Sequence, residues 1–195
     1  MKGVNIFLAD GFEETEALAT LDVLRRGDVD VKTVSVSGKE YVKSSHDVTV
    51  LADVMLADVL KQSCGTPNES DIMIFPGGMP GSKTLASTKE LIDSMNNHYS
   101  NGGTVAAICA APGLVLSQLA EDIKGKQMTC FDGFETSFVE RGADHVKKPA
   151  VRDGRIITGR GAGLAIDFGL EILTFLKGKE AANKVRASMM LPTIL

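Results

Sequence analysis

The sequence predicts an α/β fold in which a mostly parallel sheet carries helices on both faces. Two observations support this. Short apolar runs at 4–9, 71–75 and 104–108 read as strands buried on both sides. Helical stretches alternate with them, and turn signals such as Asp10-Gly11, Pro76-Gly77-Gly78 and Asn101-Gly102-Gly103 separate the two kinds of element. There is no internal repeat and no linker-like stretch, so a single domain spanning 1–195 is expected.

In order along the chain, the apolar run 4–9 is the first buried strand. Ala17, Leu18, Leu21 and Leu24 then share one helix face. Arg25, Arg26 and Gly27 stop that helix, with cations in the last turn and a glycine just past it. Residues 29–36 alternate like a strand, and 41–43 and 48–51 read as short antiparallel pieces. The segment 62–70, which contains Cys64, is polar and loop-like. Ser87 and Glu90 form a capping box for a helix whose apolar face is Leu91, Ile92, Met95 and Tyr99. After the strand at 104–108, a helix is expected over 111–119, with Pro112 in its first turn. Residues 127–131 and 155–158 are further strands. Residues 164–176 form a strong amphipathic helix and 179–187 a weaker one.

Composition removes several classes of function. With 44% apolar residues and a net charge of -4, the chain is not disordered. It lacks the clustered cations of a nucleic-acid or anionic-membrane surface. No Trp and only 2 Tyr leave no stacking platform for single strands. No apolar run approaches the roughly 20 residues that cross a bilayer, and the N-terminal stretch is too short for a signal peptide. Cys64, Cys109 and Cys130 are odd in number and widely spaced, which argues against a disulfide scaffold. No CxxC or HxxxH spacing offers a metal site. A soluble cytoplasmic protein is expected. His46, His98 and His145 lie in polar contexts. None pairs with Cys109 on sequence grounds, and His98 sits where a helix end tolerates a cation.

In such a sheet, ligands collect outside the carboxyl ends of the strands. Three turns reach that edge, at 10–16, 76–81 and 109–112. Ala107, Ala110 and Ala111 surround Cys109 where a buried strand runs into a helix. A nucleophile elbow needs small residues there, because the sharp turn crowds strand against helix. A helix N-terminus would lower the thiol pKa; the other reading is a buried Cys acting as a small hydrophobe. Glu13, Glu14 and Glu16 are either dipole-favourable charge in a first helical turn or the source of one proton-exchanging carboxyl in the crevice. The loop from Pro76 to Gly81 lacks a P-loop Lys. It is either a plain turn or half of an oxyanion hole completed by the Ala110 N–H. The glycine-rich run 159–163 precedes the last long helix, the wrong place for a dinucleotide fingerprint, so no NAD is expected. Arg160 within it either holds an anion or is a solvated surface residue. Cys130 follows an apolar strand and reads as core, and Cys64 as an incidental thiol.

Asp10-Gly11-Phe12-Glu13-Glu14-Thr15-Glu16, Phe75-Pro76-Gly77-Gly78, Ala106-Ala107-Ile108-Cys109-Ala110-Ala111-Pro112 and Thr158-Gly159-Arg160-Gly161-Ala162-Gly163 occur in one order. Together they resemble the ThiJ/PfpI superfamily, in the branch of the parkinsonism-associated deglycase, over nearly the whole chain. The resemblance implies a flavodoxin-like three-layer sandwich, a homodimer and no cofactor. It implies Cys109 as nucleophile, Glu16 as the carboxyl bonded to it, and Gly78 and Ala110 as backbone N–H donors. Gly77, Cys130 and Arg160 are expected around the substrate. The implied activity is cysteine-dependent glyoxalase or deglycase chemistry on methylglyoxal, glyoxal or early glycation adducts of proteins. The implied alternative is a redox sensor or chaperone acting through oxidation of Cys109 to a sulfinate.

This chain departs from the pattern at three positions. A His that relatives carry near the nucleophile corresponds to Cys130 here, which removes a Cys–His dyad and counts against peptidase chemistry. Ala110 replaces the residues that peptidase and amidotransferase relatives place after the Cys. His46 stands where relatives have an Arg of an anion pocket. A Cys109–Cys130 redox pair is a further expectation.

Overall fold

A computed structural model describes residues 1–62 and 65–192, so Cys64 lies outside the described residues. The first half of the chain forms β1 (Val4–Leu8), α1 (Glu14–Arg26), β2 (Val31–Ser35), β3 (Tyr41–Lys43), β4 (Thr49–Leu51), β5 (Val54–Met55) and α2 (Leu56–Gln62). Next come β6 (Ile72–Phe75), α3 (Gly81–Ser87), α4 (Lys89–Ser100), β7 (Thr104–Ile108) and α5 (Ala111–Leu114). The remainder forms β8 (Gln127–Met128), α6 (Thr136–Val139), β9 (Asp144–His145), β10 (Ala150–Asp153), β11 (Ile156–Gly159) and α7 (Ala165–Ser188).

Seven strands make one sheet in the order β10-β11-β7-β6-β1-β2-β5, and every pairing in it is parallel except β10 with β11. Successive side chains on a strand point to opposite faces, and each central strand divides its apolar residues accordingly. Ile6, Leu8, Ile72, Ile74, Ala106 and Ile108 pack toward α1 and α7, with Val23, Leu24, Phe168 and Leu173. Phe7, Met73, Phe75, Val105 and Ala107 pack the other way, onto Leu85, Leu91 and Met95 of α3 and α4. Both faces are covered, so the strands read as continuous apolar runs rather than alternating ones.

Several local expectations change. Thr88, not Ser87, is the N-cap of α4, and it makes no side-chain capping bond. Ser87 ends α3, and its Oγ donates back to the Thr84 carbonyl at 3.1 Å. The helix expected over 111–119 is α5 followed by a separate 3-10 turn at Leu116–Gln118, joined through Val115, whose φ of -101° lies well away from the helical value near -63°. The strand expected over 127–131 shortens to β8, which pairs only with β9. The two C-terminal helices read in the sequence meet inside α7 at Gly178, whose φ of 83° and ψ of 167° break the helix.

Candidate functional site

The three turns singled out in the sequence meet at the carboxyl ends of β1, β6 and β7. Cys109 leaves β7 with a φ of 64°, a left-handed conformation that costs a non-glycine residue on the order of 1–3 kcal/mol. Its surroundings hold it there. The Cys109 N–H donates to the Gly159 carbonyl at 3.0 Å, and the Phe131 N–H donates to the Cys109 carbonyl at 2.9 Å. Cys109 as a residue stays partly exposed, and the backbone N–H groups of Ala110 and Gly78 face its sulfur.

Glu16 approaches from the first turn of α1. Glu13 caps that helix, its Oε2 accepting the Glu16 N–H at 2.6 Å. The cap fixes the first turn of α1, and the Glu16 side chain that leaves it is only 1% exposed. The Gly77 N–H donates to Glu16 Oε2 at 2.8 Å, and Oε1 is buried with no hydrogen-bond partner. Burial pushes the Glu16 carboxyl up to about 7, although contact with the Cys109 thiol and the Gly77 N–H pull the other way. An orphaned acceptor in a dry setting strongly favours the protonated form or a ligand's donor.

The lowered thiol pKa expected from a helix N-terminus is not found. Burial, then the Glu16 charge and the hydrogen bond to Glu16, push the Cys109 thiol up to about 12, against the pull of the two backbone N–H groups. The reason is that α5 has only four residues, so its dipole is weak, while desolvation acts on the thiolate in full.

Gly77 is fixed by space. A Cβ there would stand 2.5 Å from Glu16 Oε2 and 2.6 Å from Cys109 Cβ. At Gly78, with φ of 88°, a Cβ would lie 2.3 Å from the Glu13 nitrogen. The loop after β6 therefore presses its bare backbone against both Glu16 and Cys109.

The remaining candidates fall outside this cluster or at its edge. Cys130 is completely buried among core residues and offers no surface to a ligand, contrary to the expectation that it borders the substrate. Cys109 and Cys130 are both free thiols. Arg160 lies at the rim, where its guanidinium binds both carboxylate oxygens of Asp132 at 2.9 and 3.0 Å. No histidine joins Cys109. His46 pairs with Glu14 at 2.8 Å, and His145 meets the ring of Phe138. His98 is not a solvated helix-end cation. It is fully buried at the opposite end of the sheet, and burial lowers its pKa. Among the described residues, one grouping, Glu13, Glu14 and His46, has metal-type ligand atoms within 4.8 Å of one another. Glu13 is already committed to its cap and Glu14 to His46. Sequence reasoning misses Glu13 as the cap of α1; its signal was the three-residue spacing from Glu13 to Glu16.

The chain matches the model of the DJ-1/PfpI family over residues 2–175. It is 36% identical over 190 residues to Protein DJ-1 homolog A of Arabidopsis thaliana, covering 97% of this chain and 47% of that protein, so it spans about half of that relative. It is 33% identical over 173 residues to the glutathione-independent glyoxalase DJR-1.2 of Caenorhabditis elegans, covering 89% and 87% of the two chains. The crystal structure of Drosophila melanogaster DJ-1beta superposes with a TM-score of 0.87 at 35% identity, covering 98% of this chain and 99% of that one.

Proposed function

The chain belongs to the DJ-1/PfpI family, and from that premise we propose that it is a cofactor-free glyoxalase in which Cys109 is the nucleophile and Glu16 the proton carrier. The observation that carries this reading is the Glu16 carboxyl. It is buried against the Cys109 thiol, has one oxygen unpaired, and has a pKa raised to about 7. A general base or acid works best with a pKa near the operating pH. The likeness to a named glutathione-independent glyoxalase supports the same class of reaction.

The steps follow from the arrangement. Free thiol predominates at neutral pH, so the Cys109 proton passes to the Glu16 carboxylate as the sulfur attacks the aldehyde carbon of methylglyoxal. The developing oxyanion faces the Ala110 and Gly78 N–H groups, then takes that same proton from Glu16, giving a hemithioacetal and restoring the Glu16 carboxylate. Glu16 next removes the proton from the former aldehyde carbon, forming an enediol whose hydroxyl donates to Oε1. Return of a proton to the neighbouring carbon leaves a thioester of lactate. Water cleaves the thioester, releasing lactate and restoring the thiol. The sum is methylglyoxal plus water giving lactate, with no external oxidant or reductant.

The same carbonyl chemistry extends to early glycation adducts of proteins, a further activity we assign to this site. The test is direct assay of lactate from methylglyoxal, with Cys109→Ser beside the wild type. Lactate from the wild type alone is the expected result, and equal lactate from both proteins overturns the assignment.

A second reading rests on the difference between the two thiols, since Cys109 is partly open and Cys130 closed. Peroxide would oxidise Cys109 stepwise to a sulfinate, which a protonated Glu16 stabilises by a charge-assisted hydrogen bond. Peptide mapping after peroxide in excess of the two oxidising equivalents a sulfinate requires, in wild type and Glu16→Ala, tests it. Two oxygens found on any other residue count against it.

A further inference from the structure

The buried stripe of α1 carries two polar side chains, Glu16 and Thr20, among Ala17, Val23 and Leu24. The two stand four residues apart, which makes them neighbours on one helix face. Thr20 is as deeply buried as Glu16. The stripe runs from the carboxyl-end site toward α7, where Val23 packs against Gly169. Among the described residues, four buried side-chain atoms lack a hydrogen-bond partner, and two of them are Glu16 Oε1 and Thr20 Oγ1.

A threonine buried in a helix ordinarily returns its hydroxyl to the carbonyl four residues back. Thr174 of α7 does so, donating to the Leu170 carbonyl at 2.7 Å, and Thr88 donates to the Thr84 carbonyl at 2.8 Å. Thr20 does not, although it is more deeply buried than either. A valine would fill nearly the same space without burying a hydroxyl. Helix side chains lean toward the N-terminus, which carries Thr20 over the Glu16 turn. Cβ atoms at this spacing lie about 5–6 Å apart. One water with hydrogen bonds of about 2.8 Å to each oxygen spans such a gap.

We propose that Thr20 is a positioning residue for the reaction: its hydroxyl donates to one buried water, which in turn donates to Glu16 Oε1 and steadies the ionised carboxylate. The proposal rests on the reading of Glu16 as proton carrier. Oε1 accepts the water on one lone pair and keeps the other for the enediol hydroxyl, while Oε2 stays on the Gly77 N–H. The titratable groups that act most strongly on Glu16 are Cys109, from the elbow after β7, and Glu13, from its own helix. Both are kept in the Thr20 variants below, so a change there belongs to Thr20.

The test titrates the Glu16 carboxyl itself, without substrate, in the wild type, Thr20→Val and Thr20→Ser. Infrared difference spectra follow the C=O stretch of the protonated carboxyl over roughly pH 5–10, and the Glu16 band is assigned by its loss in Glu16→Gln. Thr20→Val keeps the shape and removes the donor. A donor to the charged form holds a carboxyl pKa down, so its loss should raise the midpoint from about 7 by about one to two pH units, the worth of a hydrogen bond to a charged group. Thr20→Ser keeps the hydroxyl and should titrate like the wild type. In the lactate assay the rise of kcat/KM with pH should move with the midpoint, costing Thr20→Val roughly five- to fiftyfold at about pH 7 and Thr20→Ser little. A midpoint unmoved in Thr20→Val overturns the proposal. A displacement in Thr20→Ser as large as in Thr20→Val also overturns it, since packing rather than the hydroxyl would then be the cause. A midpoint that moves in Thr20→Val alone upholds the link from Thr20 to Glu16 even if no variant makes lactate, an outcome that defeats only the glyoxalase reading.

Discussion

Glu16 and His98 are both buried titratable side chains, and they sit at opposite ends of the same sheet. His98 lies below the amino ends of β6 and β7, with no exposure. Its Nε2 is 3.0 Å from both the Asp71 and Thr104 carbonyls, and its Nδ1 is 3.3 Å from the Met1 amino nitrogen. The ring is satisfied and its pKa is lowered, chiefly by burial, so it is held neutral as a structural tie. Glu16 lies at the carboxyl ends, equally buried, but with an oxygen left unpaired beside a strained, partly open cysteine. Burial alone does not mark a functional group. An unmet hydrogen bond at the strand ends where ligands collect does.

The comparison is sharpest in turnover. Glu16→Gln keeps the shape and removes the proton carrier, so steady-state lactate production should fall by about 10²–10⁴-fold. A variant within tenfold of wild type would break the contrast from the Glu16 side. His98→Ala should do the reverse. It leaves a cavity and takes a donor from two buried carbonyls, lowering stability by about 2–4 kcal/mol in a denaturant titration, while the folded protein keeps its kcat. A large kcat loss in folded His98→Ala would make His98 more than structural.

Stability against pH separates the two groups further. The carboxyl of Glu16 rises from 4.5 unfolded to about 7 folded, so the folded state holds the proton more tightly. The stability it confers is present in full below pH 4.5 and is lost as pH rises through about 7, by on the order of 3 kcal/mol. Urea titrations between these pH values should show that fall in the wild type and a flatter curve in Glu16→Gln. Matching curves would contradict the assigned pKa. A smaller effect is expected from Gly77→Ala, whose methyl group displaces Glu16 and Cys109 from one another. Turnover should drop about 100-fold, the usual cost of a misplacement near 1 Å, and unchanged turnover would show that their contact is dispensable.

The strands that carry the site were legible because burial on both faces leaves an unbroken apolar run, as at Ile72–Phe75 and Thr104–Ile108. The elbow was legible too, since alanines flank Cys109 where the turn is crowded. Helix α3 was not. It has no apolar stripe, and its buried positions include Gly81 and Ser82, which pack by smallness. The contact between Glu16 and Gly77 spans 61 residues, a separation that no local pattern encodes. The thiol pKa was misread because the dipole is visible in sequence as a helix start, whereas the depth of burial is not.

The most direct test of Glu16 as proton carrier is kcat/KM for methylglyoxal across pH 5–9, the range that brackets a pKa near 7. The wild-type value should rise with pH through about 7 as the Glu16 carboxyl loses its proton, then level off. The residual rate of Glu16→Gln should lack that rise. A wild-type profile flat through this range, or the same rise persisting in Glu16→Gln, would contradict the account.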